Sequence, residues 1–87
     1  MKHARKDYNR IQDPDAQIPA DEPVFLLRAT DRYAADVVLH YAELIAGDPL
    51  APTKSHKIAE RAREHARTMR QYADKHGTKS PDMPEDA

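Results

Sequence analysis

The stretch "DRYAADVVLHYAELIAG", Asp31 to Gly47, constrains the fold more than any other part of the chain. Thr30 or Asp31 can cap a helix at its start, and Gly47 followed by Asp48-Pro49 stops it. Ala34, Val37, Val38, Tyr41 and Ile45 form one face, and Ala35, Leu39, Ala42 and Ala46 widen that face until little is left for water. A helix so apolar around its circumference must be covered on more than one side. The cover has to come from a chain of 87 residues that is 33% charged and has no cysteine. Small domains commonly supplement a thin core with disulfides, metals or association with other copies. Without cysteine, disulfides and thiolate metal sites are excluded, so association remains and we expect a homo-oligomer.

A second helix is marked just as clearly. In "TKSHKIAERAREHARTMRQYADKHG" Thr53 or Ser55 can serve as N-cap, and Gly77 suits a left-handed position after the last turn. Lys75 and His76 complement the negative helix end. Ile58, Ala62, Ala66, Met69 and Ala73 recur every three or four residues, a narrow stripe rich in alanine. Small side chains let two helix axes approach closely, so this stripe is expected to meet the first helix.

The run "PVFLLRA", from Pro23, reads as a short buried strand ending before the helix cap. The alternative starts a helix at Pro23 and carries it to Ala46. As a strand it would pair with Tyr8 to Gln12 or with its own copy in another subunit. The expected fold is therefore mainly α: a helical hairpin of two amphipathic helices preceded by a short apolar strand or helix turn, with flexible termini. Residues 1–22 read as a mobile N-terminal arm, 23–77 as a single small helical domain and 78–87 as a flexible acidic tail. No apolar run approaches the roughly 18 residues of a membrane span, and no signal-peptide pattern opens the chain, so a cytoplasmic protein is expected.

Lys2, Arg5, Lys6 and Arg10 make the first residues basic, but a formal net charge of −1 argues against a general nucleic-acid binder. Arg28 is the leading ligand candidate. It follows the apolar run close to a helix start, where free amide groups favour an anion, and Arg32 lies one turn on. The plainer reading is an ion pair with Glu22, Asp31 or Asp36. Arg63, Arg67 and Arg70 lie within a narrow arc of the second helix and could line an anion site, or pair with Glu60, Glu64 and Asp74 as a solvated face. Tyr33 and Tyr41 are packing residues first, and Tyr33 could also stack on a ring. His65 and His76, beside Tyr72, read as interfacial or capping histidines. Asp36, His40 and Glu43 share one helix face, as do His56, Glu60 and Glu64, but neither row has the Glu-x-x-His order of bundle metal sites, and no metal is expected. Serines occur only at 55 and 80 and glycines only at 47 and 77. That leaves no nucleophile–base pair and no phosphate loop; neither catalysis nor a cofactor is expected.

"DEPVFLLRATDRYA", with "YAELIAG" after it and "HGTKSPDMP" near the end, resembles a group of small uncharacterised accessory proteins of tailed phages and prophages. The most distinctive part is the Glu-Pro-Val-Phe-Leu-Leu-Arg-Ala run with Asp31. The resemblance implies a phage origin and expression inside a bacterial cell, and it carries over no functional residues. Small phage proteins of this kind bind a host protein or capture a nucleotide signal of antiviral defence. The expectation that follows is a non-enzymatic oligomer holding an anionic nucleotide-like ligand through Arg28, Arg32, Tyr33, Arg63, Arg67 and Arg70. The alternatives are a helical protein that grips and modulates a host protein, and a minor DNA-contacting regulator.

Overall fold

A computed structural model describes residues 1–8, 13 and 15–79. They divide into two compact units, residues 1–27 and residues 28–79. In the first, strand β1 (Lys2–His3) pairs in parallel with strand β2 (Pro23–Val24), Lys2 opposite Pro23 and His3 opposite Val24. The Lys2 N–H donates to the Glu22 carbonyl at 2.6 Å. Pro23 has no N–H to donate, which confines it to a short edge pairing of this kind. A 3₁₀ turn over Lys6–Tyr8 follows β1. Here the Arg5 guanidinium donates to both Asp7 carboxylate oxygens, at 2.9 and 2.6 Å, and lies 4.4 Å from the centre of the buried Tyr8 ring. Further on, the Asp13 carboxylate accepts the N–H groups of Gln17 and Ile18 at 2.9 and 2.7 Å, holding the chain as it turns through Ala16 at φ 50°.

Of the two expectations for the apolar run, the strand is present but shorter than expected, and the helix is not. The strand stops after Val24, because only Lys2 and His3 stand across from it, and no helix starts at Pro23. Phe25 is exposed and Leu26 and Leu27 are partly buried, without regular structure. The proposed partner segment from Tyr8 to Gln12 lies, after Tyr8, outside the described residues, and the described partner is β1.

The second unit is a hairpin of α1 (Ala34–Ala46) and α2 (Ser55–His76). Asp36 near the start of α1 bonds Arg70 near the end of α2, so the helices run antiparallel. Their shared core is small: Ala34, Ala35 and Ala42 from α1 meet Ala59, Ala66 and Met69 from α2. Five of these six are alanine, and contact between helices lined by methyl groups brings the axes close. Val38, Ile45, Ala62 and Ala73 border it half-buried.

The inward faces agree with those expected at Ala34, Val38 and Ile45 of α1 and at Ala62, Ala66, Met69 and Ala73 of α2, all buried or half-buried, and differ at three positions. Val37 and Tyr41 point away from α2, and the buried line passes through Ala35 and Ala42 instead. Close packing rewards the side of α1 with the smallest residues, and a single neighbouring helix cannot cover the opposite side as well. On α2, Ile58 is largely exposed, and Ala59, one residue along, takes the inward place.

Neither helix starts with the side-chain cap expected. Tyr33 holds the N-cap position of α1 without a side-chain bond, and Asp31 instead accepts the Tyr33 N–H at 2.8 Å, an Asx turn that leads into the N-cap. Before α2, Lys54 holds the N-cap position, and the N–H groups of Ser55, His56 and Lys57 bond the carbonyls of Pro52, Thr53 and Lys54. Successive three-residue turns thus satisfy amides that Thr53 or Ser55 were expected to cap. Gly47 ends α1 at φ −87°, an ordinary conformation, whereas Gly77 adopts the expected positive φ, 83°, and donates to the Ala73 carbonyl at 2.8 Å.

The Asp36–Arg70 bond joins two exposed side chains, 70% and 57% accessible. Solvent screening limits such pairs to about 0–1 kcal/mol. Asp36→Ala should therefore change the urea unfolding free energy by less than about 1 kcal/mol, with Arg70→Ala no worse.

Candidate ligand cleft

The antiparallel hairpin sets the lead-in to α1 beside the exit of α2, and two backbone bonds fasten them. After Gly77 turns the chain, the Lys79 N–H donates to the Thr30 carbonyl at 2.7 Å, and the Arg32 N–H donates to the Lys79 carbonyl at 2.8 Å. Asp31 and Lys79 thereby form a parallel bridge. Asp31 is 8% exposed, and its carboxylate is engaged by the Tyr33 amide described above.

Beside this fastening lies an open cleft of about 290 Å³, lined by Arg28, Ala29, Thr30 and Tyr72. The Tyr72 ring is half-exposed and packs on His76, with ring centres 4.1 Å apart and planes tilted by 31°. The Thr30 hydroxyl oxygen is buried and has no hydrogen-bond partner. Arg28 and the Tyr72 ring therefore border one concavity, with Ala29 and Thr30 completing its lining. Guanidinium matches the geometry of phosphate and carboxylate oxygens, while an aromatic face accepts a planar ring. The electrostatics divide: Arg28 brings positive charge, but the C-terminal end of α2 presents carbonyls and a partial negative charge. An anionic group would have to sit on the Arg28 side, with the uncharged part of the ligand toward Tyr72.

Of the residues expected to bind ligand, only Arg28 lines this cleft. Arg32 and Tyr33 are exposed in the turn before α1. Arg63 is half-buried and Arg67 exposed on α2, while Arg70 is turned to Asp36 rather than to the acidic residues of its own helix considered above. Asp36, His40 and Glu43 meet no second acidic row; His40 Nδ1 lies 4.0 Å from Glu43 and Asp36 holds Arg70. Among the described residues, no three His, Asp or Glu side chains are grouped to hold a metal ion. Thr30 and Tyr72 are the cleft residues that sequence reasoning missed. The four-residue spacing of Tyr72 and His76 signals their ring contact, but nothing local signals that Arg28 lies near them.

A second concavity, of about 460 Å³, belongs to the first unit and is lined by Lys2, His3, Ala4, Pro23, Val24 and Phe25. Both ring nitrogens of His3 are buried there without partners. Among the described residues no helix is long and apolar enough to cross a membrane. No protein family, curated protein or solved structure matches the chain. The functional reading therefore rests on the chemistry of the cleft.

Proposed function

We propose that the chain is a non-enzymatic binding protein that captures an anionic, nucleotide-like small molecule in the cleft of Arg28, Thr30 and Tyr72. The observation that carries this reading is the meeting of Arg28 and the half-exposed Tyr72 ring around one opening. Arg28 engages the phosphate, and the Tyr72 ring receives the base or another flat ring. The phage resemblance of the Glu22–Ala29 run supplies the biological setting: a nucleotide signal of bacterial antiviral defence is a ligand of the right chemistry for such a protein to sequester.

Calorimetry and thermal shift with cyclic dinucleotides, ADP-ribose, mononucleotides and inorganic phosphate test the proposal. A nucleotide should bind and raise Tm. Arg28→Ala should weaken it at least about tenfold, since hydrogen bonds to a charged group contribute about 1.5–3 kcal/mol. Tyr72→Ala should weaken the nucleotide while leaving any binding of inorganic phosphate unchanged. Lys2→Ala, in the other concavity, should have no effect. If none of these molecules binds, the ligand reading fails.

A further inference from the structure

Away from α2, α1 carries an apolar stripe that the hairpin leaves bare. Tyr33, Val37, Tyr41 and Leu44 are 52%, 48%, 55% and 60% exposed, and their spacing of four, four and three residues keeps them on one side. The same spacing recurs one residue earlier in a polar row: Arg32, Asp36, His40 and Glu43. Stripe and row thus run side by side along the outer surface of α1 and its lead-in turn.

The order of residues in both lines is complementary to its own reverse. When two copies of α1 are laid antiparallel, Tyr33 meets Leu44 of the second copy and Val37 meets its Tyr41, so every ring faces an aliphatic side chain. In the flanking row, which meets itself in an antiparallel pair, Arg32 meets Glu43 and Asp36 meets His40. Cation or imidazole then faces carboxylate at each step. Parallel pairing would instead set this row against the opposite flank of the partner's stripe, where it does not meet itself. Asp36 keeps its Arg70 bond and His40 its approach to Glu43, so the Arg32–Glu43 pairs are the contacts newly made.

We infer that this outer face of α1 is the contact between two copies of the chain, packed antiparallel about a two-fold axis. Each copy offers on the order of 400 Å² from the four stripe residues, the size of the largest apolar patch on an ordinary monomer. The pair buries less than the ~1,200 Å² at which standard stable interfaces begin, so the dimer is weak, with Kd on the order of 10–100 μM. The inference goes beyond the ligand reading, because face and cleft share no residue and either can fail alone.

Sedimentation velocity of the whole chain from about 1 μM to about 1 mM at low ionic strength tests it. The expected result is a reversible shift from monomer to dimer. Arg32→Glu and Glu43→Arg, each alone, place like charges together twice per dimer and should raise Kd about five- to tenfold. The double variant restores opposite charges and should return Kd to near the original. Both substitutions lie on exposed side chains, so circular dichroism of all three variants should be unchanged. A chain that stays monomeric throughout overturns the inference, whether its stripe is bare or covered by some other protein. So does a double variant as weak as the two singles together, because the antiparallel register alone predicts rescue.

Discussion

Replacing Met69 with alanine should leave a large part of the molecules unfolded at 25 °C. Met69 is the only side chain larger than alanine among the buried residues of the helical hairpin, at 6% exposure. Its thioether fills the space that the alanines of α1 and α2 leave between the helices, and no other buried side chain can move in to take its place. Truncating a buried Met to Ala costs about 2–5 kcal/mol, through lost transfer energy and the cavity left behind. A core of this size rarely supplies more than about 3–5 kcal/mol in total, so the loss is comparable with the whole margin. Urea titration followed by circular dichroism should show a shallow transition with little or no folded baseline. Met69→Leu, which nearly conserves volume, should stay within about 1.5 kcal/mol of the original. If Met69→Ala unfolds at the same urea concentration as the parent, the hairpin core described here is not what holds the chain together.

Gly77→Ala should have the next largest effect, and for a reason unrelated to packing. A Cβ built on Gly77 meets nothing within 4 Å, so there is room for a methyl group. The obstacle is the backbone: φ 83° with ψ 170° is a region open to glycine and closed to L residues. Holding an L residue there costs about 1–3 kcal/mol. The chain can escape by changing direction after α2, but then Lys79 loses its bonds to Thr30 and Arg32, and the wall of the cleft goes with them. L-alanine at position 77 should therefore lower stability by about 1–3 kcal/mol and weaken any ligand held by Arg28. D-alanine at the same position, introduced by semisynthesis, finds these angles allowed and should match or exceed glycine. Equal stability for the two enantiomers would show that the positive φ has no part in the fold.

These two positions also mark how far the sequence could be read. Gly77 could be picked out in advance, because a glycine after a periodic run is local information: it concerns one residue's backbone and the end of one helix. The same holds for the course of α2, whose three-to-four-residue repeat, bounded by Pro52 and Gly77, matches the observed Ser55–His76. The close, alanine-lined approach of two antiparallel helices follows from small residues at helical spacing joined by a short connection. Arg28 stood out as a charge between an apolar run and a helix start, and it does line the cleft.

The orientation of α1 could not be read this way. Apolar residues surround most of that helix, so an inward face through Val37 and Tyr41 and one through Ala35 and Ala42 bury similar chemistry. Contact with α2 decides between them, because only the alanine side lets the two backbones draw close. Arg70 could find acidic residues on its own helix, and the hairpin register gave it Asp36. The cleft depends on the same kind of decision: Arg28 and Tyr72 are far apart in the chain, and the Lys79 bonds bring their segments together. Helix ends, turns and repeats are set residue by residue through backbone preference, and the amino-acid order determines them alone. Which face turns inward, and which distant side chains share a site, depends on free-energy differences between rival packings, and those exist only once the helices meet.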